Sequence, residues 1–143
     1  MKDYLVGQIA MTETVYVVKL PLTVAFSGTS KKTFSLNLNV YRNAHHMTLA
    51  KAKVVFRKQV TPLLEGIPLM PRVHLVYTLF PRTKVRTDVG NVCSIVDKFF
   101  SDTIVHAGIL ADDDYISLPK VTYCFGAVDK LNPRVEVHII PIP

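Results

Sequence analysis

Acidic residues are scarce through the first part of this chain. Between Thr14 and Thr87 the only one is Glu65, against Lys19, Lys31, Lys32, Arg42, Lys51, Lys53, Arg57, Lys58, Arg72, Arg82, Lys84 and Arg86. Cysteine is also rare. Cys93 and Cys124 are the whole complement, too few for a disulfide scaffold or a cysteine-based zinc site, and they read as reduced thiols of a cytoplasmic protein. No His-x-x-x-His or Cys-x-x-Cys spacing supports zinc. Long apolar runs are missing too: none approaches the roughly 20 residues that span a bilayer. Asp3, Gln8 and Glu13 interrupt the N-terminus, which therefore does not read as a signal peptide. No internal repeat, low-complexity tract or domain linker is visible.

What is present is a chain of 143 residues, 49% hydrophobic, long enough for one domain with a real core. Its formal net charge of +6 favours a nucleic acid or an acidic surface as partner, and says nothing about fold. The balance reverses at Asp88. From there on, Asp88, Asp97, Asp102, Asp112, Asp113, Asp114, Asp129 and Glu136 face only Lys98, Lys120, Lys130 and Arg134. A basic surface attracts a polyanion, and carboxylates beside it hold a divalent cation able to hydrolyse it. That pairing points to a metal-dependent nuclease.

Periodicity gives the order of elements. Short β-branched and aromatic runs at 15–18 and 22–26, split by Pro21, read as strands. Residues 33–40 alternate, with Phe34, Leu36, Leu38 and Val40 on one face, which is the period of a half-buried strand. Residues 41–46 read as a polar loop feeding a helix over 47–60, which Pro62 limits. A strand is expected at 71–80. The clearest helix is 90–105, where Val92, Ile95, Val96, Phe99, Phe100 and Ile104 form one apolar face and Gly108 is placed to end it. Strands at 116–125 and 134–140 complete an α/β (α+β) single domain with a mixed sheet and two main helices.

Two segments carry a family resemblance: Asp88-Val89-Gly90-Asn91 opening the second helix, and Gly108-Ile109-Leu110-Ala111-Asp112-Asp113 after it. Together with the run Leu36-Asn37-Leu38-Asn39-Val40-Tyr41-Arg42-Asn43 before a basic helix, they resemble the RusA family of Holliday-junction resolvases, small phage- and prophage-associated endonucleases. The resemblance covers 33–141 and leaves 1–32 as an N-terminal β extension to a nuclease domain at 33–143. It implies a Mg2+-dependent crossover junction endodeoxyribonuclease, with Mn2+ able to substitute, acting as a homodimer on four-way junctions in the host cytoplasm. The resemblance further implies that Asp88, Asp113 and Asp112 are metal-site residues and that Lys98 is a catalytic lysine. Two departures stand out. Gly90 replaces the second aspartate of the opening pair, and the helix is about one turn longer than in the family. Asp97 is the candidate to replace the missing carboxylate, and the family's later helix aspartate falls on Asp102.

Each site residue also has a plainer reading. Asp88 serves equally as a helix cap, Asp112 to Asp114 as a solvated loop, and Lys98 as the i, i+4 partner of Asp102. Asp114 is the expected bystander of its run. Lys51, Lys53, Arg57, Lys58, Arg82, Lys84 and Arg86 are the expected phosphate contacts. His45 and His46 read as ordinary loop residues, and Cys93 and Ser94 lack an activating histidine. Besides the nuclease, two other functions stay open: a non-catalytic branched-DNA-binding protein of the same fold, and a basic structural protein of a phage particle.

Overall fold

The computed structural model describes residues 14–26 and 32–143. Its centre is a four-stranded mixed sheet in the order β1–β6–β4–β5, with β1 Tyr16–Leu20, β4 Val73–Phe80, β5 Lys120–Phe125 and β6 Arg134–Pro141. A separate ribbon pairs β2 Thr23–Ala25 with β3 Thr33–Ser35. The helices are α1 Leu38–Asn43, α2 His46–Val60 and α3 Val89–His106, and a 3-10 turn at Thr61–Leu64 follows α2. The fold is therefore α+β, a single small domain.

Strand alternation decides which way the sheet faces. In β4 the buried row is Val73, Leu75, Tyr77 and Leu79, and in β6 it is Val135, Val137 and Ile139. Helix α3 lies over this face. Among its buried residues are Cys93, Val96, Phe99, Phe100 and Ile104, spaced as a 3.6-residue period requires. Phe99 is the pivot between layers. Its ring stacks on Phe34 at 6.0 Å and meets Phe56 of α2 edge-on at 5.5 Å, while Phe100 meets Tyr77 edge-on at 6.2 Å. Each such fully buried aromatic contributes about 1.5–3 kcal/mol.

The segment 33–40 departs from the strand its alternation suggested. Extended pairing stops at Ser35, and the chain turns helical at Leu38. Asparagine is the reason. Asn37 caps α1 by accepting from the Val40 amide at 2.9 Å, and Asn91 Oδ1 accepts from the Leu38 amide at 2.9 Å. Both bonds satisfy free amides of a first turn. The expected loop at 41–46 is correspondingly short: α1 runs through Asn43, and His45 caps α2 with Nδ1 accepting from the Met47 amide. The fifth strand segment also starts later than its sequence implied. Residues 115–117 are a turn, held by Asp114 Oδ1 accepting from the amides of Ile116 and Ser117, so β5 begins only at Lys120.

The remaining boundaries follow familiar physics. Gly108, at φ 80°, ends α3. Its amide reaches Val105 O and the Ile109 amide reaches Ile104 O, the paired bonds of a Schellman motif. Of the segment 1–32, β1 pairs antiparallel with β6 and β2 pairs with β3, so both strands share the core of the main domain. Residues 1–13 and 27–31 of that segment lie outside the described residues.

Candidate metal and nucleic-acid site

Because β4 and β5 are parallel neighbours, the chain must travel back between them, and α3 is that return path. The connection carries Asp97, Lys98 and Asp102 past the start of β5. The turn after α3 then brings Asp113 to the same place. A cleft of about 390 Å³ results, lined by Tyr41 of α1, Lys53 of α2, Asp97, Lys98, Ser101 and Asp102 of α3, Asp113, and Leu118 and Val121 leading into β5. Three carboxylates and two ammonium groups thus share one concavity.

Asp97 is the most constrained of them. Its Oδ1 accepts the Tyr77 hydroxyl at 2.8 Å and its Oδ2 accepts the Tyr123 hydroxyl at 3.1 Å, so both oxygens are oriented by the sheet beneath. Tyr77 and Tyr123 are direct partners in the β4–β5 ladder, which is why their hydroxyls converge. Burial pushes the Asp97 carboxyl above the usual range and the Asp113 charge adds to that, against the pull of the two tyrosine hydroxyls and Lys98. Asp113 is raised as well, by loss of hydration first, then by its contact with Asp112 and the nearby charge of Asp102. Burial, with Asp97 close by, drives the Tyr77 and Tyr123 hydroxyls upward, so they donate rather than ionise.

Lys98 makes no ion pair with Asp102. Its ammonium sits over the Tyr41 ring, 5.9 Å from the centroid, and faces the cleft. Asp112 turns its carboxylate onto the Asp113 amide at 2.7 Å and so fixes the backbone of the turn. Asp114 is consumed by its own turn, where its carbonyl also accepts the Leu118 amide at 2.8 Å.

Asp88 is elsewhere. It is the N-cap of α3, its Oδ1 accepting from the Gly90 amide at 2.9 Å, and it does not line the cleft. Nine residues of helix put it about 13 Å along the axis from Asp97, at a rise of 1.5 Å each. The cleft therefore brings Asp113 together with Asp97 and Asp102, and not with Asp88, its expected partner. The signal for Asp97 was present in its position beside Lys98. What could not be read was the tyrosine pair that orients it, because that pair is made by strand register.

The basic residues divide into groups. Lys53 enters the cleft, and Lys51 lies over the Phe26 ring at 5.5 Å. Arg57 and Lys58 line a separate hollow with His106, and Arg82 and Lys84 line another with Lys130. Arg86 is exposed in the loop before α3. Burial raises the Cys93 thiol to about 12, which leaves it inert as a nucleophile at neutral pH. Among the described residues, no three His, Cys, Asp or Glu side chains stand close enough to enclose a metal ion directly, and no helix is long and apolar enough to cross a membrane. No protein-family model matches the chain, and comparison with curated proteins finds no match.

Proposed function

We propose that the protein is a Mg2+-dependent endodeoxyribonuclease that resolves branched DNA, the four-way Holliday junction above all, at the Asp97, Asp102 and Asp113 cleft. The observation that carries this reading is the convergence of three carboxylates with Lys53 and Lys98 in one cleft beside a basic helix. The donor chemistry suits the ion. Mg2+ takes hard oxygen ligands, keeps several waters and needs only one or two carboxylates, so a three-ligand enclosure is not required. Asp113, together with Asp97 or Asp102, would hold it, and Mn2+ suits the same oxygens. Bound there, the ion would supply Lewis acidity toward a phosphodiester and ease ionisation of water. Burial raises both Asp97 and Asp113 and neighbouring carboxylates add to it, and a bound cation would favour their ionised forms.

The protein's own groups do the rest. Tyr77 and Tyr123 hold Asp97 in one orientation. Lys98 and Lys53 bring positive charge to where a phosphate gains negative charge in the transition state. Asp112 shapes the turn that presents Asp113, and Asp88 acts as a cap and leaves the metal set. Lys51, Arg57, Lys58, Arg82, Lys84 and Arg86 would grip backbone phosphates without reading sequence. Paired symmetric nicks call for two copies related by a two-fold axis.

A second reading is a branched-DNA-binding protein without hydrolytic activity. Gly90, standing where the resemblance puts an aspartate, favours it. Incubation of a labelled four-way junction with the protein and Mg2+, beside a linear duplex of the same arms, separates the two. Cleavage of the junction alone supports the nuclease. Junction binding with no cleavage in Mg2+ or Mn2+ leaves the binder.

A further inference from the structure

A second concavity, of about 630 Å³, lies across α1 from the carboxylate cleft, and its volume is that of a small-ligand site. Its floor is apolar, formed by Phe26, the buried Phe34, Val40 and Ala44. Its rim is polar. Asn39 and Asn43 stand one turn apart on α1, and Thr48 faces them from α2. Asn43 Nδ2 donates to the Asn39 carbonyl at 2.8 Å, and among the described residues the Asn39 amide has no protein partner. Phe26 is set in place by the β2–β3 ribbon, its backbone amide donating to the Lys32 carbonyl at 3.1 Å. Lys51, three residues after Thr48, holds its ammonium 5.5 Å from the centre of the Phe26 ring. Among the described residues no carboxylate lines this concavity, and Glu65 is the only acid between Thr14 and Thr87.

We infer that this concavity receives an unpaired nucleobase of branched DNA, stacked on Phe26, with a phosphate of the same strand on Lys51. The inference rests on the DNA reading of the neighbouring cleft and adds a second subsite for that substrate. Ring chemistry points to a base. A nucleobase is a flat ring with donors and acceptors along its edge, and an aromatic floor beneath amide side chains complements both parts. Charge points to a nucleic acid, because a cationic surround free of carboxylates favours an anionic ligand over an apolar one.

Position supports the same ligand. Tyr41 of α1 lines the carboxylate cleft, while Asn39 and Asn43 of the same helix line the second concavity. A helix is about 10 Å across, so a strand with one phosphate in the cleft reaches the second concavity within roughly three nucleotides at 3.4 Å each. Phe26 belongs to the segment 1–32, outside the stretch that resembles the RusA family, so the aromatic floor is this chain's own addition. Energetics decide which bases enter. Extracting a base from a continuous duplex sacrifices its pairing and both stacking faces, whereas an unpaired base at a branch or bulge has already lost part of these. The subsite thereby raises affinity for branched over linear DNA.

The test uses the full chain in EDTA and two labelled duplexes, one with a single bulged adenine and one with the same bulge lacking its base. Wild type should bind the base-bearing bulge about tenfold more tightly, the scale of one base–aromatic stack. Phe26→Ala should bind both duplexes alike, with an unchanged circular dichroism spectrum. The chain has no tryptophan, so Phe26→Trp places a single reporter in the floor. Its emission should be quenched by the base-bearing bulge and not by the abasic one. Equal affinity of the wild type for the two duplexes overturns the inference, as does a folded Phe26→Ala that keeps the tenfold preference. Should Phe26→Ala not fold, the tryptophan decides, and emission that ignores the base refutes the subsite. Emission that changes with protein concentration alone makes a second copy the occupant, and the inference fails. Every arm is read without Mg2+, so absence of cleavage bears on the nuclease alone. Junction binding with no preference for the base sinks only the subsite, whereas failure to bind any DNA sinks the DNA reading as well.

Discussion

Replacing Tyr77 by Phe removes one oxygen from the floor of the cleft and leaves the ring packing intact. Tyr77 is fully buried, and its hydroxyl donates to Asp97 Oδ1 at 2.8 Å. A hydrogen bond to a charged acceptor contributes about 1.5–3 kcal/mol, and the middle of that range applies to a part-buried pair. The ring itself continues to meet Phe100 and Tyr123 edge-on, so no cavity term larger than one oxygen arises. Tyr77→Phe should therefore lose about 2 kcal/mol at pH 7, a fall in Tm of roughly 5–10 °C for a domain of this size. Tyr123→Phe removes a longer bond at 3.1 Å from a half-exposed residue, and should lose under about 1 kcal/mol.

The pH dependence gives the argument its sign. The hydroxyl favours ionised Asp97, so its removal raises the carboxyl still further above 3.8. A neutral acid accepts a weaker bond, worth about 0.5–1.5 kcal/mol. The difference between wild type and Tyr77→Phe should thus be largest above the folded-state pKa of Asp97 and shrink as pH falls through it. For wild-type Asp97 itself the raised value means that stability is fully present below 3.8 and declines as pH rises through the folded value. Urea titrations in metal-free buffer at several pH values, with the Asp97 carboxyl followed by NMR, measure both effects. A Tyr77→Phe variant within about 0.5 kcal/mol of wild type at pH 7, or a penalty that grows toward acid pH, refutes the clamp.

Three further outcomes follow from the site. Asp113→Asn should reduce Mg2+-dependent junction cleavage by about 100-fold or more, the scale of ~2.7 kcal/mol in the transition state, while junction affinity measured in EDTA holds or improves. Asp88→Ala should cost about 1 kcal/mol in stability through loss of the cap on α3, yet cleave at close to the wild-type rate; a hundredfold loss of cleavage would return Asp88 to the metal site. Changing Lys53 and Arg57 together to Ala should lower the magnitude of the salt slope of junction binding by up to ~2, and an unchanged slope removes α2 from the DNA interface.

Much of this architecture was legible in the chain. The apolar spacing through Phe99 and Phe100 marks α3 because a helix with one buried face repeats every 3.6 residues whatever it packs against. Gly108 marks its end because a left-handed residue is cheapest as glycine. The strands expected at 71–80 and 134–140 are present as β4 and β6. The charge reversal at Asp88 likewise follows from composition alone. Where the reading failed, local preference met a competing bond. The alternation of 33–40 satisfies a strand, yet Asn37 and a distant Asn91 offer the backbone a helix cap instead. Asn91 lies 53 residues from Leu38, whose amide it caps, and no local window of sequence contains both.

The same limit separates the two aspartates of α3. Sequence places Asp88 at the helix start, and its cap is a contact over two residues, so the local rule already accounts for it. Asp97 gains its character from Tyr77, 20 residues before it, and Tyr123, 26 residues after it. Those hydroxyls meet only because β4 and β5 are parallel neighbours in one register. Sequence by itself determined the charge, the two long helices and most of the strands, since these depend on residues a few positions apart. Which carboxylates share a cleft was decided by tertiary structure, because strand order and register bring together side chains that the chain keeps far apart.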